Sequence, residues 1–374
     1  MRFRDIKEHI VNREGIESID ALRQAGYRLV KARDSDRHFL ARPDDLQPLL
    51  VRLGDLAEVR FGIKTGANEF FYLEPVGTTV AELFRAGAQQ PSQPTVRVRN
   101  GAGWQGELET AWLRPVIKSL REVRSLRASV EDARFLLFVP PNDVRENFDN
   151  SSYVKRHYPK AYAYIVFGEK TGYHLRSSCA GRQCWWDIGG RPISNAFYSI
   201  MNGERHLIAH NNYFYVSDNL GEIHLNLSKV DREFVGVLNS TLFKFFIELT
   251  GRTMTGALAV VKVQVYEFSD LLMLAPTAFT AAQRDRLLDA FERMAQREVR
   301  SIFEELGYPK PNRDYSNIDP AALTLEQVQR ASPDRFELDA VVFEVLGLND
   351  AERLAVYRAV VELVRNRLVK ARSV

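Results

Sequence analysis

Arg60, Lys64, Thr65 and Asn68 fall in one short stretch, RFGIKTGANEFFYL (residues 60–73), where two glycines, Gly62 and Gly66, bracket Ile-Lys-Thr. If the glycines shape a tight turn, Lys64 and Thr65 project from its tip as a point charge and a hydroxyl. Those groups suit phosphate contact, and Asn68 suits the edge of an adenine. The plain alternative is a β-hairpin with a solvated lysine. A phosphate-binding P-loop does not fit. No glycine stands five residues before a Gly-Lys-Ser/Thr, and FFYL reads as a strand rather than a helix.

A second cluster lies in LRSSCAGRQCWWDIGGRPIS: Arg176, Arg182, Gln183, Trp185, Trp186 and Arg191. Basic groups among Gly and Ser can clamp a backbone, and aromatic rings can stack on bases, although paired tryptophans commonly fill a core. A third candidate is Arg252-Thr253-Met254-Thr255-Gly256, beyond a predicted helix end, where a loop tip could enter a groove. Lys118, Arg121, Arg124 and Arg127 recur near one helical turn and read as a solvated face.

Other chemistries lack their residues. Gly101 to Gly106 matches GxGxxG formally, but a short basic run precedes it and two glutamates follow, so it reads as a surface loop rather than a cofactor site. His174, Cys179, Cys184, His206 and His210 lack the spacing of a metal site. There is no Gly-x-Ser-x-Gly elbow. The Pro140-Pro141 pair is not preceded by Asn or Asp, so the catalytic tetrapeptide of DNA amino-methyltransferases is absent. No catalytic set is assigned to this chain.

These residues need a scaffold, and the composition supplies one. The 374 residues, 45% hydrophobic and 11% aromatic, suffice for two or three cores. With 51 basic and 48 acidic residues the net charge is +3, which excludes a histone-like polycation but permits a local basic groove. Two cysteines indicate a reducing compartment. No apolar leader and no run of eighteen apolar residues occur, so the expectation is a soluble, cytoplasmic chain with no membrane span.

Along the chain, DIKEHIV and IDALRQAG in the first fifty residues read as helical pieces. VRVR and ARFLLFVPPN read as strands, and YPKAYAYIVFGE as a helix. HLIAHNNYFYVSD reads as a strand pair turning at Asn-Asn, and DREFVGVLNSTLFKFFIELTG as a helix stopped by Gly251. VVKVQVYEFSDLLML begins as a strand. After Pro276, TAAQRDRLLDAFERMAQREVRSIFEELG reads as one long helix with Thr280 as N-cap. DRFELDAVVFEVLGL is a further helix, and the last one carries an apolar stripe of Leu354, Tyr357, Val361, Val364 and Leu368.

LGDLAEVRFGIKTGANEFFYL resembles the segment that opens the target-recognition region of class I N6-adenine DNA methyltransferases and fused type II restriction-modification enzymes. ELETAWLRPVIKS, YPKAYAYI with Arg176 downstream, CWWDI, HNNYFYVSD, FVGVLNSTLFKFFIELTGRTMTGAL and the helical tail from Arg335 follow in that family's order, over roughly residues 38–374. The family's upstream S-adenosylmethionine loop and catalytic tetrapeptide are missing. The resemblance therefore implies the recognition part alone: an α+β fold, with a mixed β-rich target-recognition domain and loop-borne DNA contacts, then a helical C-terminal region. It implies an N-terminal segment at 1–50, the DNA-binding domain at 51–275 and the helices at 276–374.

The expected function is DNA sequence recognition for an adenine methyltransferase or restriction system, as a subunit or fragment. Double-stranded DNA and a methyltransferase catalytic subunit are the expected partners, and S-adenosylmethionine is expected on that subunit rather than here. Arg60, Lys64, Thr65, Asn68, Arg182, Arg191, Arg252 and Thr253 are the expected DNA contacts, with Gly62 and Gly66 as turn formers. Membership of an enzyme active only with its partner stays open, as does a protein-interaction module that keeps the fold without DNA binding.

Overall fold

The computed structural model describes residues 28–31, 38–41, 49–85, 93–148, 151–226, 231–254, 259–312, 314–315 and 317–370. The fold is α+β. The chain divides into two compact units, one of residues 60–197 and 211–222, the other of residues 1–59, 198–210 and 223–374. The division thus does not follow chain order: residues 223–275 belong with the C-terminal helices. DIKEHIV and IDALRQAG lie outside the described residues. Arg28–Lys31 and His38–Ala41, in the stretch expected to be helical in pieces, form an antiparallel pair of strands.

The unit of residues 60–197 and 211–222 is built on a six-stranded sheet. Its order is Tyr215–Val216, Leu113–Ile117, Phe135–Phe138, Tyr72–Pro75, Thr95–Asn100 and Gln105–Glu109. All neighbours are antiparallel except Tyr215–Val216, which runs parallel to Leu113–Ile117. The strands expected at VRVR and in ARFLLFVPPN are both present. The GxGxxG stretch is the hairpin turn between Thr95–Asn100 and Gln105–Glu109. Asn100 Oδ1 accepts from the amides of Ala102 and Trp104, and Gly103 takes φ +84°.

The helix Pro159–Lys170 covers one face of this sheet. Proline at its first position and two Glu109 carboxylate oxygens, bound to the amides of Lys160 (2.9 Å) and Ala161 (2.8 Å), satisfy its N-terminus. Tyr164 on its inner face stacks on Phe70 at 4.4 Å and 6°, donates to the Phe70 carbonyl and accepts from Asn100. Trp112, fully buried, packs on Phe138 and Trp186. Aromatic pairs of this geometry add about 0.5–1.5 kcal/mol each beyond area burial.

The second unit is mainly helical. Ala281–Ala295 packs on Pro333–Leu346, and Thr241–Thr250 on Asp350–Lys370. Tyr357, Val361, Val364 and Leu368 of the expected stripe are buried and Leu354 is half-buried, so the stripe packs within the chain.

Several expected elements are corrected. DREFVGVLNSTLFKFFIELTG is two helices, Asp231–Leu238 and Thr241–Thr250, because buried Asn239 bonds to both backbone groups of Ile208 and Ser240 caps a new helix. TAAQRDRLLDAFERMAQREVRSIFEELG keeps the Thr280 capping box but ends at Ala295 and restarts at Ser301, itself a capping residue. Ile208–His210 and Tyr215–Val216 do not pair with each other; they belong to different sheets. Only Val261–Lys262 of VVKVQVYEFSDLLML's first half is strand, and Val265–Ser269 is helical. CWWDI, which resembles the family's Trp-bearing strand, is not a strand here. Lys118 to Arg127 is a loop rather than a helix, with Arg121, Arg124 and Arg127 exposed.

Candidate nucleic-acid interface

Residues 62–68 form a turn whose two glycines answer to separate constraints. A Cβ on Gly62 would lie 2.2 Å from the Ser217 carbonyl oxygen, because Ile63 bridges Ser217 and its amide donates to the Val216 carbonyl at 2.7 Å. Gly66 has φ +78°, and a Cβ there would also meet Ser178 Cβ at 2.6 Å. One helical turn, Asn68–Phe71, follows before the strand Tyr72–Pro75. The stretch is therefore strand, turn, helical turn and strand; the expected direct passage into a strand is corrected.

Lys64 projects from this turn and is exposed. Thr65 does not project, contrary to expectation. It is fully buried, its hydroxyl donates to Asn68 Oδ1, and it accepts from the Ala67 amide at 3.2 Å. A small side chain that can bond its own following backbone is what a tight turn uses, so Thr65 holds the loop. Asn68 is exposed, with Oδ1 engaged by Thr65. Arg60, half-buried, precedes the turn at the end of the strand Ala57–Phe61.

Arg182 is brought to the same place, but as a brace. Its Nη2 donates to the carbonyls of Thr65 (2.7 Å) and Lys64 (3.3 Å), its Nη1 to that of Trp185 (3.2 Å), and its guanidinium lies 5.5 Å from the Phe71 ring. With those donors spent on backbone carbonyls, Arg182 fixes where Lys64 points. Buried Cys179 sits beneath, 3.8 Å from the Thr65 carbonyl. The tryptophans are half-buried supports: Trp185 lies against Phe70, and Trp186 against Trp112 and Phe148. Arg145 anchors their loop through Asp187 at 3.0 Å.

Arg176 pairs with Glu69 and lies 4.6 Å from the Tyr173 ring. That bond holds the Glu69 carboxyl below the usual carboxylate range. Arg191, half-buried, faces the buried Glu222 carboxylate at 3.8 Å. Arg252 and Thr253 are exposed and belong to the other unit, in the short strand Arg252–Thr253; Arg252 pairs with Glu267 at 2.6 Å and meets the Tyr266 hydroxyl. Thr255 and Gly256 lie outside the described residues. The geometry thus groups Lys64, Thr65, Asn68 and Arg182 in one structure, with Arg176 beside them through Glu69. The bracing role of Arg182 and the burial of Thr65 left no sequence signal, because both depend on residues more than a hundred positions apart.

The chain also matches known proteins. A sequence model of the family described as "Type II methyltransferase M.Eco57I, C-terminal domain" covers residues 109–305, more than half of the 374. The chain belongs to that family. Residues 109–305 thereby carry the C-terminal domain related to restriction-modification methyltransferases. No curated protein matches it. Among solved structures, the crystal structure of the type IIG restriction endonuclease BpuSI is similar at 12% identity and a TM-score of 0.43, over 80% of this chain and 32% of that one. The chain therefore spans about a third of that enzyme's length. Among the described residues, no helix is long and apolar enough to cross a membrane.

Proposed function

We propose that this chain is the DNA-reading part of an adenine-N6 methyltransferase or restriction-modification system, working in the cytoplasm, and that it holds the duplex for a catalytic part that carries S-adenosylmethionine. The observation that carries this reading is the Lys64 turn. An exposed cation stands on a loop fixed by two obligatory glycines, a buried threonine and an arginine brace, all seated on an aromatic sheet-and-helix scaffold. Rigid presentation of a lone cation suits a phosphate, since each contact gains most when the side chain's position is set beforehand. Lys64 and Asn68 are the contacts proposed there, with Arg60, Arg176 and Gln183 on neighbouring segments. Arg182 and Thr65 are proposed as positioning residues. Arg252 and Thr253 would be contacts of the second unit.

The reading is tested by fluorescence anisotropy of the chain with random-sequence duplex DNA at two salt concentrations, with Lys64→Ala alongside. Salt-sensitive binding, weakened by the substitution, is expected; no binding at low salt would sink the reading.

A second reading has its own observation. Arg176, Arg191 and Arg252 each face an acidic side chain within the chain, Glu69, Glu222 and Glu267. Cations neutralised in this way favour a protein-interaction module that keeps the fold without DNA binding. Complete absence of DNA binding in both the parent and Lys64→Ala would favour it.

A further inference from the structure

Leu175 is the most exposed large apolar side chain among the described residues, at 73%. It does not hang on a loose segment. It ends the short 3-10 turn Tyr173–Leu175, its amide donates to the Gly172 carbonyl at 3.1 Å, and the helical turn Ser177–Ala180 follows directly. The residues on either side of it are anchored. Tyr173 is buried and lies 5.4 Å from the Phe70 ring, and Cys179 is buried under the Lys64 turn. Arg176, next in sequence, is held by Glu69 and by the Tyr173 ring. The backbone of Leu175 is therefore fixed at both ends while its side chain has almost nothing to pack against.

The place of this leucine matters more than its exposure, since single apolar side chains on a surface are ordinary. Ser178, three residues on, touches the position of Gly66, so Leu175 stands on the segment that supports the Lys64 turn. An apolar side chain and a cation carried on two segments that pack against each other, here through Ser178 and Gly66, is a combination with which proteins can wedge between base pairs. The cation holds the backbone while the apolar group replaces part of the stacking it disrupts. A wedge on a mobile loop would yield; this one is braced by a buried tyrosine below it.

We propose that Leu175 inserts between adjacent base pairs of duplex DNA and unstacks that step while Lys64 holds the neighbouring phosphate. The inference rests on the DNA-binding reading above and adds that the preferred partner is a locally unstacked, bent duplex.

The test uses the whole chain and random-sequence duplexes in which 2-aminopurine replaces adenine along one strand, so that any binding register reports unstacking. With no methyltransferase present, base flipping by another domain cannot contribute. At saturating protein the parent chain is expected to raise the fluorescence. Leu175→Ala is expected to bind somewhat more weakly and to lose that rise, whereas Lys64→Ala loses affinity but keeps the rise once saturated. Saturation of the DNA without any rise, or an undiminished rise with Leu175→Ala, overturns the wedge and leaves DNA binding standing. Absence of DNA binding at low salt overturns both.

Discussion

At the turn of residues 62–68, single atoms decide what can be substituted. Gly66 combines a left-handed backbone with a neighbour, Ser178, already inside the volume a methyl group would need. Gly66→Ala is expected to cost about 1–3 kcal/mol, read by urea unfolding, because a non-glycine residue there adopts a sparsely populated conformation as well as a clash. Arg182→Ala should differ from Lys64→Ala in kind. Losing the brace frees three carbonyls, two of them in the turn, and loosens it, so stability falls together with DNA affinity, whereas Lys64→Ala leaves the melting temperature unchanged. A substitution at Arg182 that lowers affinity with no loss of stability would return it to the set of direct contacts. The cations and glycines of this turn were legible in the sequence from residue type and spacing alone. That Thr65 turns inward and Arg182 reaches back to its carbonyl was not, because neither follows from local preference.

Among elements, the helical unit carries an interior of charges. Glu305, fully buried, is bound by Arg297 (2.7 and 2.9 Å) and Arg335 (2.9 Å), and Arg297 also holds Asp334. Burial pushes the Glu305 carboxyl up, but the Arg335 charge and the Arg297 bonds outweigh it and hold the group well below its ordinary 4.5. A carboxyl depressed in the fold contributes stability that is present above its unfolded value and is lost as pH falls through the folded one. The unit is therefore expected to lose stability progressively below about pH 4.5, and Glu305→Gln should flatten that slope while costing about 3–5 kcal/mol at neutral pH by stranding Arg335. Acid titration of the circular-dichroism signal of both proteins checks this; parallel slopes would contradict it.

Lys244 is the opposite case. It is buried beside His206 and Asn239, and burial, then the Arg335 charge, pulls its pKa well down. Lys244→Met, which keeps the stem and removes the amine, is expected to raise the melting temperature. Helix restarts offer a simpler test: Ser240→Ala, deleting the cap that splits the expected long helix, should cost about 1 kcal/mol. Helix and strand types were mostly legible from periodicity and capping residues. The breaks at Asn239-Ser240 and after Ala295 were not, because groups far away in sequence, the Ile208 backbone and the Asp334 carboxylate among them, reward interrupting the helix.

For the whole molecule, the near-balance of 51 basic and 48 acidic residues means that bulk charge does not drive nucleic-acid binding. Any affinity must come from a few placed cations. The slope of log affinity against log salt is then expected to be shallow for a protein of this size and to lose about one unit in Lys64→Ala, as for the loss of one phosphate contact. A slope unchanged by that substitution would move the contact elsewhere. The proposed division of labour also predicts that the chain alone transfers no methyl group from labelled S-adenosylmethionine to DNA, and that transfer requires an added catalytic part. Methylation by the chain alone would end that reading.

The order of weak motifs from Leu53 to the helical tail was enough to place this chain in its family, since motif order survives where individual residues drift. Residue types and spacing likewise marked the Lys64 turn, the buried strand before Pro140, the helix at Pro159 and the cap at Thr280. These depend on interactions within a few residues, which the local sequence contains. The tertiary structure alone decided that residues 223–275 belong with the C-terminal helices, that the tryptophan pair supports the loop, and that Arg182 braces while Lys64 faces outward. Each of those outcomes is set by packing and hydrogen bonds between segments distant along the chain, and such partners are chosen only when the chain has folded.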